Sequence, residues 1–91
     1  MRKLIAIKRI EGQDNYYETA IEPIMHGRHM YGIAQFTREK VDRNGFTFDY
    51  GIIKQTNSYF LDAPVKRKNM QIKVFEDLAN QMLCNIENQS V

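Results

Sequence analysis

The chain has 91 residues, of which 43% are hydrophobic and 26% charged, and its formal net charge is +2. This length indicates one domain, 1–91, with a single modest core, and the composition excludes wholesale disorder. One cysteine, Cys84, excludes an intrachain disulfide. No apolar run is long enough for a signal peptide or a membrane span, so we expect a cytoplasmic protein without membrane contact.

The first 25 residues predict a β-hairpin. Residues 3–10 form the first strand, and its continuous apolar run is typical of a central strand covered on both faces. Residues 16–21 alternate and predict the second strand, which Pro23 should end or place at an edge because proline cannot donate a ladder hydrogen bond. A short helix over 16–25 is the alternative. The first strand is basic and the second acidic, so we expect opposite charges to pair across the hairpin.

A second hairpin is predicted around Asn44-Gly45. Asn-Gly is the strongest short signal of a two-residue type I′ turn, because both positions need positive φ. After the alternating segment 30–37, the incoming strand of the hairpin is predicted over roughly 37–42 and is mostly polar, and the outgoing strand over 46–54. The outgoing strand carries apolar residues at alternate positions, Phe46, Phe48, Tyr50 and Ile52. A two-residue turn pairs Val41 with Phe48 and Glu39 with Tyr50.

The last third predicts a helix. Turns are expected at 55–58 and 62–64, after which apolar residues recur with helical spacing, at Phe75, Leu78, Ala79, Met82, Leu83 and Ile86. The helix is predicted over about 66–87, with a strand continuing to residue 74 as the alternative. The expected fold class is α+β: an antiparallel meander of four to five strands, within about 3–61, with one C-terminal helix packed on one face.

No motif indicates catalysis. His26 and His29 form an H-x-x-H pair, but a structural zinc site needs four ligands and a catalytic site three. Cys84 lies in the helix pattern and is expected to behave as a small hydrophobic residue. The glycines have no phosphate-binding spacing. We therefore expect a protein that is not an enzyme, with no catalytic residue, metal or cofactor.

The Asn44-Gly45 hairpin suggests the leading functional hypothesis. Its aromatic side chains face polar partners, and a single helix is too short to cover the tip as well as the first strand. Exposed aromatic patches are typical of partner surfaces. The predicted partner-binding residues are Val41, Asn44, Phe46, Phe48 and Tyr50. The expected class is a small inhibitor, adaptor or regulatory protein, or a homodimer, and such chains are also typical of phages and mobile elements. The competing interpretations are that the helix covers this face or that a bulge shifts the register of the hairpin.

The basic segments suggest nucleic-acid binding as the alternative. Lysine and arginine neutralise phosphates, and interleaved aromatic rings stack on bases. Cations at a helix N-terminus also oppose the helix dipole, and this unfavourable placement suggests that they have a functional role. The residues predicted for this function are Arg2, Lys3, Lys66, Arg67 and Lys68.

Overall fold

The computed structural model describes residues 1–89, which form one antiparallel sheet and one helix. The sheet order is β1-β2-β3-β4, and α1 packs on one face. The bounds are β1 Lys3–Arg9, β2 Asn15–His26, β3 His29–Arg43, β4 Phe46–Val65 and α1 Lys68–Gln89. The predicted α+β class, the meander and the C-terminal helix are confirmed. The segment 69–74 is helical, not a strand.

The apolar stripe of α1 packs on the centre of the sheet. Phe75, Ala79 and Met82 are buried there against Ile21 and Ile33. Other side chains are partly buried around this cluster, namely Ile5, Tyr59, Leu61, Val65, Val74, Leu78, Leu83 and Ile86. The predicted core stripe is therefore present.

Cys84 is exposed, contrary to its predicted place among the hydrophobic residues of the stripe. It follows the fully buried Met82 by two positions, which is a rotation of about 200° around a helix. Its side chain therefore points away from the sheet, although the preceding Leu83 belongs to the apolar stripe.

β1 is an edge strand, so its prediction as a central strand is wrong. Ile5 packs toward α1, whereas Leu4 and Ile7 are about half exposed. A β-bulge between Leu4 and Ala6 changes which residues face the helix. A continuous apolar run does not distinguish a strand covered on both faces from an edge strand with one bulge.

Pro23 does not end β2 but lies where β2 is at an edge, which is the second of the two outcomes expected from the sequence. It lies opposite Ile33 within the β2–β3 ladder, and β2 continues to His26. The pairing of β1 with β2 reaches only the Lys3–Ile21 pair. At Pro23, β2 therefore has no neighbour on its β1 side. The lack of an N–H in proline costs no hydrogen bond to β1 there.

The predicted turns at 55–58 and 62–64 are instead irregularities within β4. Asn57 has a φ of 49°, and the register with β3 shifts between Thr56 and Tyr59 and again between Phe60 and Val65. β4 is the outer strand, so an extra residue disturbs hydrogen bonds on one side only. Gly32 allows the close pairing here, because a Cβ at this position would clash with the carbonyl oxygen of Tyr59.

The sheet face opposite α1 carries paired charges. The buried carboxylate of Glu18 contacts both Arg2 and, at 3.1 Å, Lys40. The Arg2–Glu18 pair confirms the expected pairing between the first two strands. Arg38 donates to Glu22 at 2.8 Å and lies 3.3 Å from Asp49. These pairs neutralise the charges on this face within the chain.

We predict that Met82→Ala destabilises the fold by about 2–5 kcal/mol, because the side chain is fully buried in the core. Cys84→Ala, two residues away and exposed, is the control and should change the free energy of unfolding by less than about 0.5 kcal/mol. Urea denaturation measures both. Equal effects of the two variants would contradict the assignment of the buried helix face.

We predict that Glu18→Gln removes an acid-sensitive part of the stability. Burial raises the pKa of Glu18, but hydrogen bonds and charges from Arg2 and Lys40 outweigh it, and the pKa lies below its ordinary value of 4.5. A lowered folded pKa gives stability that is present above pH 4.5 and lost as the pH falls through the folded pKa.

At pH 7, Glu18→Gln should therefore cost about 1.5–3 kcal/mol. The difference between wild type and variant should shrink as the pH falls from about 5 to about 3, measured by urea denaturation at each pH. A difference that does not depend on pH would show that the ion pairs do not carry the effect.

Candidate protein-binding site

The predicted tight turn joins β3 and β4. Asn44 and Gly45 have φ angles of 54° and 78°, as a type I′ turn requires. Val41 faces Phe48 across the hairpin, which confirms the register predicted next to the turn. The right-handed twist of this turn matches that of the strands, so the hairpin stays paired to its tip.

The register changes at a bulge further along β4. Glu39 faces Gly51, not Tyr50 as predicted. Gly51 has a φ of 104°, and its N–H donates to Asp49 Oδ1 at 2.8 Å. Glycine adopts this conformation without a Cβ clash. The bulge places Ile52 opposite Arg38, so Ile52 lies on the other face of the sheet from Phe48, contrary to the simple alternation.

Three aromatic side chains are uncovered on the same side of the sheet as α1. Phe46, Phe48 and Tyr50 are 69%, 51% and 63% exposed, and we call them the aromatic patch. They line a shallow cavity of about 340 Å³ together with Val41, Arg43 and Asn44. Val41 is only 3% exposed, so it supports the patch from beneath and offers little surface to a partner.

A polar belt separates the aromatic patch from the core under α1. The hydroxyls of Thr19 and Thr37 lie 2.9 Å apart on this face. Next to them, Asn15 Nδ2 donates to Glu39 Oε2 at 3.1 Å. The patch is therefore not an extension of the hydrophobic core, and its rings are not buried by the fold.

The opposite side of the hairpin tip is polar and tied to the rest of the sheet. Asp42 accepts hydrogen bonds from Thr47 at 2.7 Å, Tyr16 at 3.4 Å and Arg9 at 3.5 Å. The hydrogen bond from Thr47 is the main cause that lowers the pKa of Asp42 below its ordinary value. The Arg9 guanidinium also lies 4.4 Å from the centre of the Tyr16 ring.

The tip is therefore not a free arm. β2 pairs with β3 as far as the Asn15–Val41 pair, and only residues 42–47 of the hairpin extend beyond it. Arg43 also lies 3.6 Å from Asp14 in the β1–β2 connection. The aromatic patch is thus presented on a supported surface, which lowers the entropy lost when a partner binds.

The basic residues predicted for nucleic-acid binding fall into two groups, one with side-chain partners within the chain and one exposed to solvent. Arg2 contacts Glu18, and Lys3 Nζ donates to Asn80 Oδ1 at 3.2 Å. Lys66, Arg67 and Lys68 are exposed to solvent, as expected.

Arg28 was not among the residues predicted from the sequence, although it lines the same cavity as Lys66 and Lys68. The only sequence signal was its place in the His26-Gly27-Arg28 turn. Arg28 and Lys66 are far apart in the chain, so no local pattern of residue types indicates that they meet.

Among residues 1–89, no three His, Cys, Asp or Glu side chains converge as a metal site would require. Within the same range, no helix is long and apolar enough to cross a membrane. His26 and His29 face each other across the β2–β3 turn. In comparisons with protein families, curated proteins and solved structures, nothing matches the chain.

Proposed function

We propose that the chain is a non-enzymatic protein-binding module that uses the aromatic patch to bind an apolar cleft on a partner protein. The observation that carries the proposal is the exposure of Phe46, Phe48 and Tyr50 together, beyond a polar belt that separates them from the core. Aromatic anchors of this kind dominate binding energy when a partner excludes water from them.

The surroundings of the patch support a partner surface that is apolar and uncharged. Arg43, which lines the same cavity as the rings, lies 3.6 Å from Asp14, and Glu39 accepts a hydrogen bond from Asn15. Because these charged groups already have partners within the chain, the rim needs no opposite charge from outside. Binding at the patch should therefore depend weakly on salt. A small inhibitor, adaptor or regulatory protein, cytoplasmic and of the phage or mobile-element type, is the proposed class.

We predict that Phe46→Ser, alone and with Phe48→Ser, strongly weakens partner binding without unfolding the chain. Loss of a desolvated aromatic anchor costs about 2 kcal/mol or more, which is roughly a 30-fold loss of affinity. The patch lies outside the core, so circular dichroism and the melting temperature should stay close to wild type.

Phe60→Ser is the matched control. Phe60 is as exposed as Phe46, 69% in each case, and lies on the same strand, but it is opposite Gly32, far from the hairpin tip. Wild type, Phe46→Ser and Phe60→Ser are each used to capture proteins from host lysate. The candidates are proteins that wild type and Phe60→Ser capture and Phe46→Ser does not. These candidates are purified, and their binding is measured by calorimetry. A purified candidate that binds wild type and Phe46→Ser equally would contradict the proposal.

Self-association is measured separately by analytical ultracentrifugation. A dimer lost in Phe46→Ser and retained in Phe60→Ser would assign the patch to a second copy of the chain instead of a different protein. Unfolding of Phe46→Ser would show that the rings belong to the core, and the proposal would fail.

A further inference from the structure

A buried glutamine ties two distant basic segments together at the other end of β3. Gln71, in the first turns of α1, is buried, and its Nε2 donates to the backbone oxygens of Arg28, Val65 and Lys66 at 2.6, 2.8 and 3.3 Å. The β2–β3 turn, which carries Arg28, is thereby held against the β4–α1 junction. The positions of Arg28 and Lys66 relative to each other are therefore built into the fold.

Three cations surround the resulting cavity. Arg28, Lys66 and Lys68 line a volume of about 670 Å³, and Arg67 lies between the two lysines in sequence. Across residues 1–89, no carboxylate lies within 4 Å of these three cations, although six such pairs occur elsewhere in that range. An uncompensated cluster of this kind produces a positive potential that attracts anions.

Aromatic rings border the same cations. Arg28 and Lys66 also line an adjoining cavity of about 610 Å³, together with His26, His29 and Tyr31. The His29 and Tyr31 rings are stacked, with centroids 6.4 Å apart and an angle of 29° between their planes. The His26 ring meets Tyr31 edge-on at 6.3 Å. Tyr31 is 37% exposed, so part of its ring is accessible to a ligand.

We propose that this end of the sheet binds single-stranded nucleic acid. The cations contact successive phosphates, and the Tyr31 ring, backed by His29, stacks on a base. A cationic groove beside accessible rings is the arrangement that single-strand binding requires, since cations alone bind any polyanion and rings alone bind no phosphate. An acidic peptide would use the cations but would leave the ring cluster without a role.

The site differs from the one expected from the sequence. Arg2 and Lys3 are engaged by Glu18 and Asn80, and the new site takes Arg28, His29 and Tyr31 in their place. It is also independent of the aromatic patch, because the two lie at opposite ends of the 15-residue strand β3. Failure of either proposal leaves the other standing.

The test is fluorescence anisotropy of the full chain with labelled single-stranded DNA and RNA of about 10 nucleotides, within the usual site size of such proteins. Binding should weaken as salt rises. Alanine at Arg28, Lys66 or Lys68 should lower the slope of log affinity against log salt by about 0.7 for each phosphate that is no longer neutralised. Lys8→Ala, which removes an exposed cation from β1, should leave the slope unchanged.

The stacking role of the Tyr31 ring is tested with the variants Tyr31→Leu and Tyr31→Phe. Tyr31→Leu should weaken binding by roughly 5- to 150-fold, the range for loss of one stacked base, with an unchanged salt slope. Tyr31→Phe retains the ring and should retain the affinity. Equal losses for both variants would overturn the stacking role. The Phe46→Ser variant should bind the oligonucleotide as wild type does.

Ligand controls distinguish single-stranded nucleic acid from other polyanions and from free nucleotides. Inorganic polyphosphate and a poly-glutamate peptide should bind more weakly than the oligonucleotide and should not respond to Tyr31→Leu. Equal binding of either would show a general polyanion site and overturn the proposal. Affinity for a mononucleotide equal to that for the oligonucleotide would assign the site to a free nucleotide and overturn it too. The proposal would also be overturned if no oligonucleotide binding were detected at about 50 mM salt, where phosphate binding is strong.

Discussion

The structure depends on the packing of one helix stripe against the middle of a sheet that is longer than the helix can cover. α1 has 22 residues and is about 33 Å long, whereas the molecule extends for 44 Å along its longest axis. Gln71 fixes the start of α1 at the β2–β3 turn, and Asn85 donates to the hydroxyl of Tyr59 near its end. The tip of the β3–β4 hairpin therefore stays outside the helix-covered core.

The uncovered parts of the sheet differ between the two faces. Opposite α1, the carboxylates of Glu18 and Glu22 are matched by Arg2, Lys40 and Arg38, so these charges are satisfied within the chain. Such pairs offset the cost of charges that an open sheet face leaves half-buried. At the hairpin tip, the aromatic patch has no such covering. Exposed apolar side chains on the opposite face, such as Ile7 and Ile52, lie beside the ion-paired Glu18 and Arg38, whereas the three rings of the patch line one cavity. The patch is therefore the stronger candidate for a partner surface.

Local chemistry predicted part of the fold, and long-range contacts decided the rest. The φ requirement of Asn44-Gly45 and the helical period around Met82 both act within a few residues, so the turn and the helix were predictable. The edge position of β1, the passage of β2 through Pro23 and the bulge at Gly51 depend on where a neighbouring strand ends or gains a residue. A single bulge moves Ile52 to the other face, so alternation alone predicted the patch only as far as Tyr50.

The two candidate surfaces also differ in whether a local sequence pattern could reveal them. Phe46 and Phe48 lie close together in sequence, so their shared face followed from the period of a strand. Arg28 and Lys66 are brought together by the pairing of Met30 with Val65 and by the side chain of Gln71. Both links use backbone groups and therefore leave no pattern in residue types. The two surfaces share no residue and lie at opposite ends of a molecule 44 Å long. Changes at one surface should therefore add to changes at the other without coupling, so each of the two proposed functions can be tested separately.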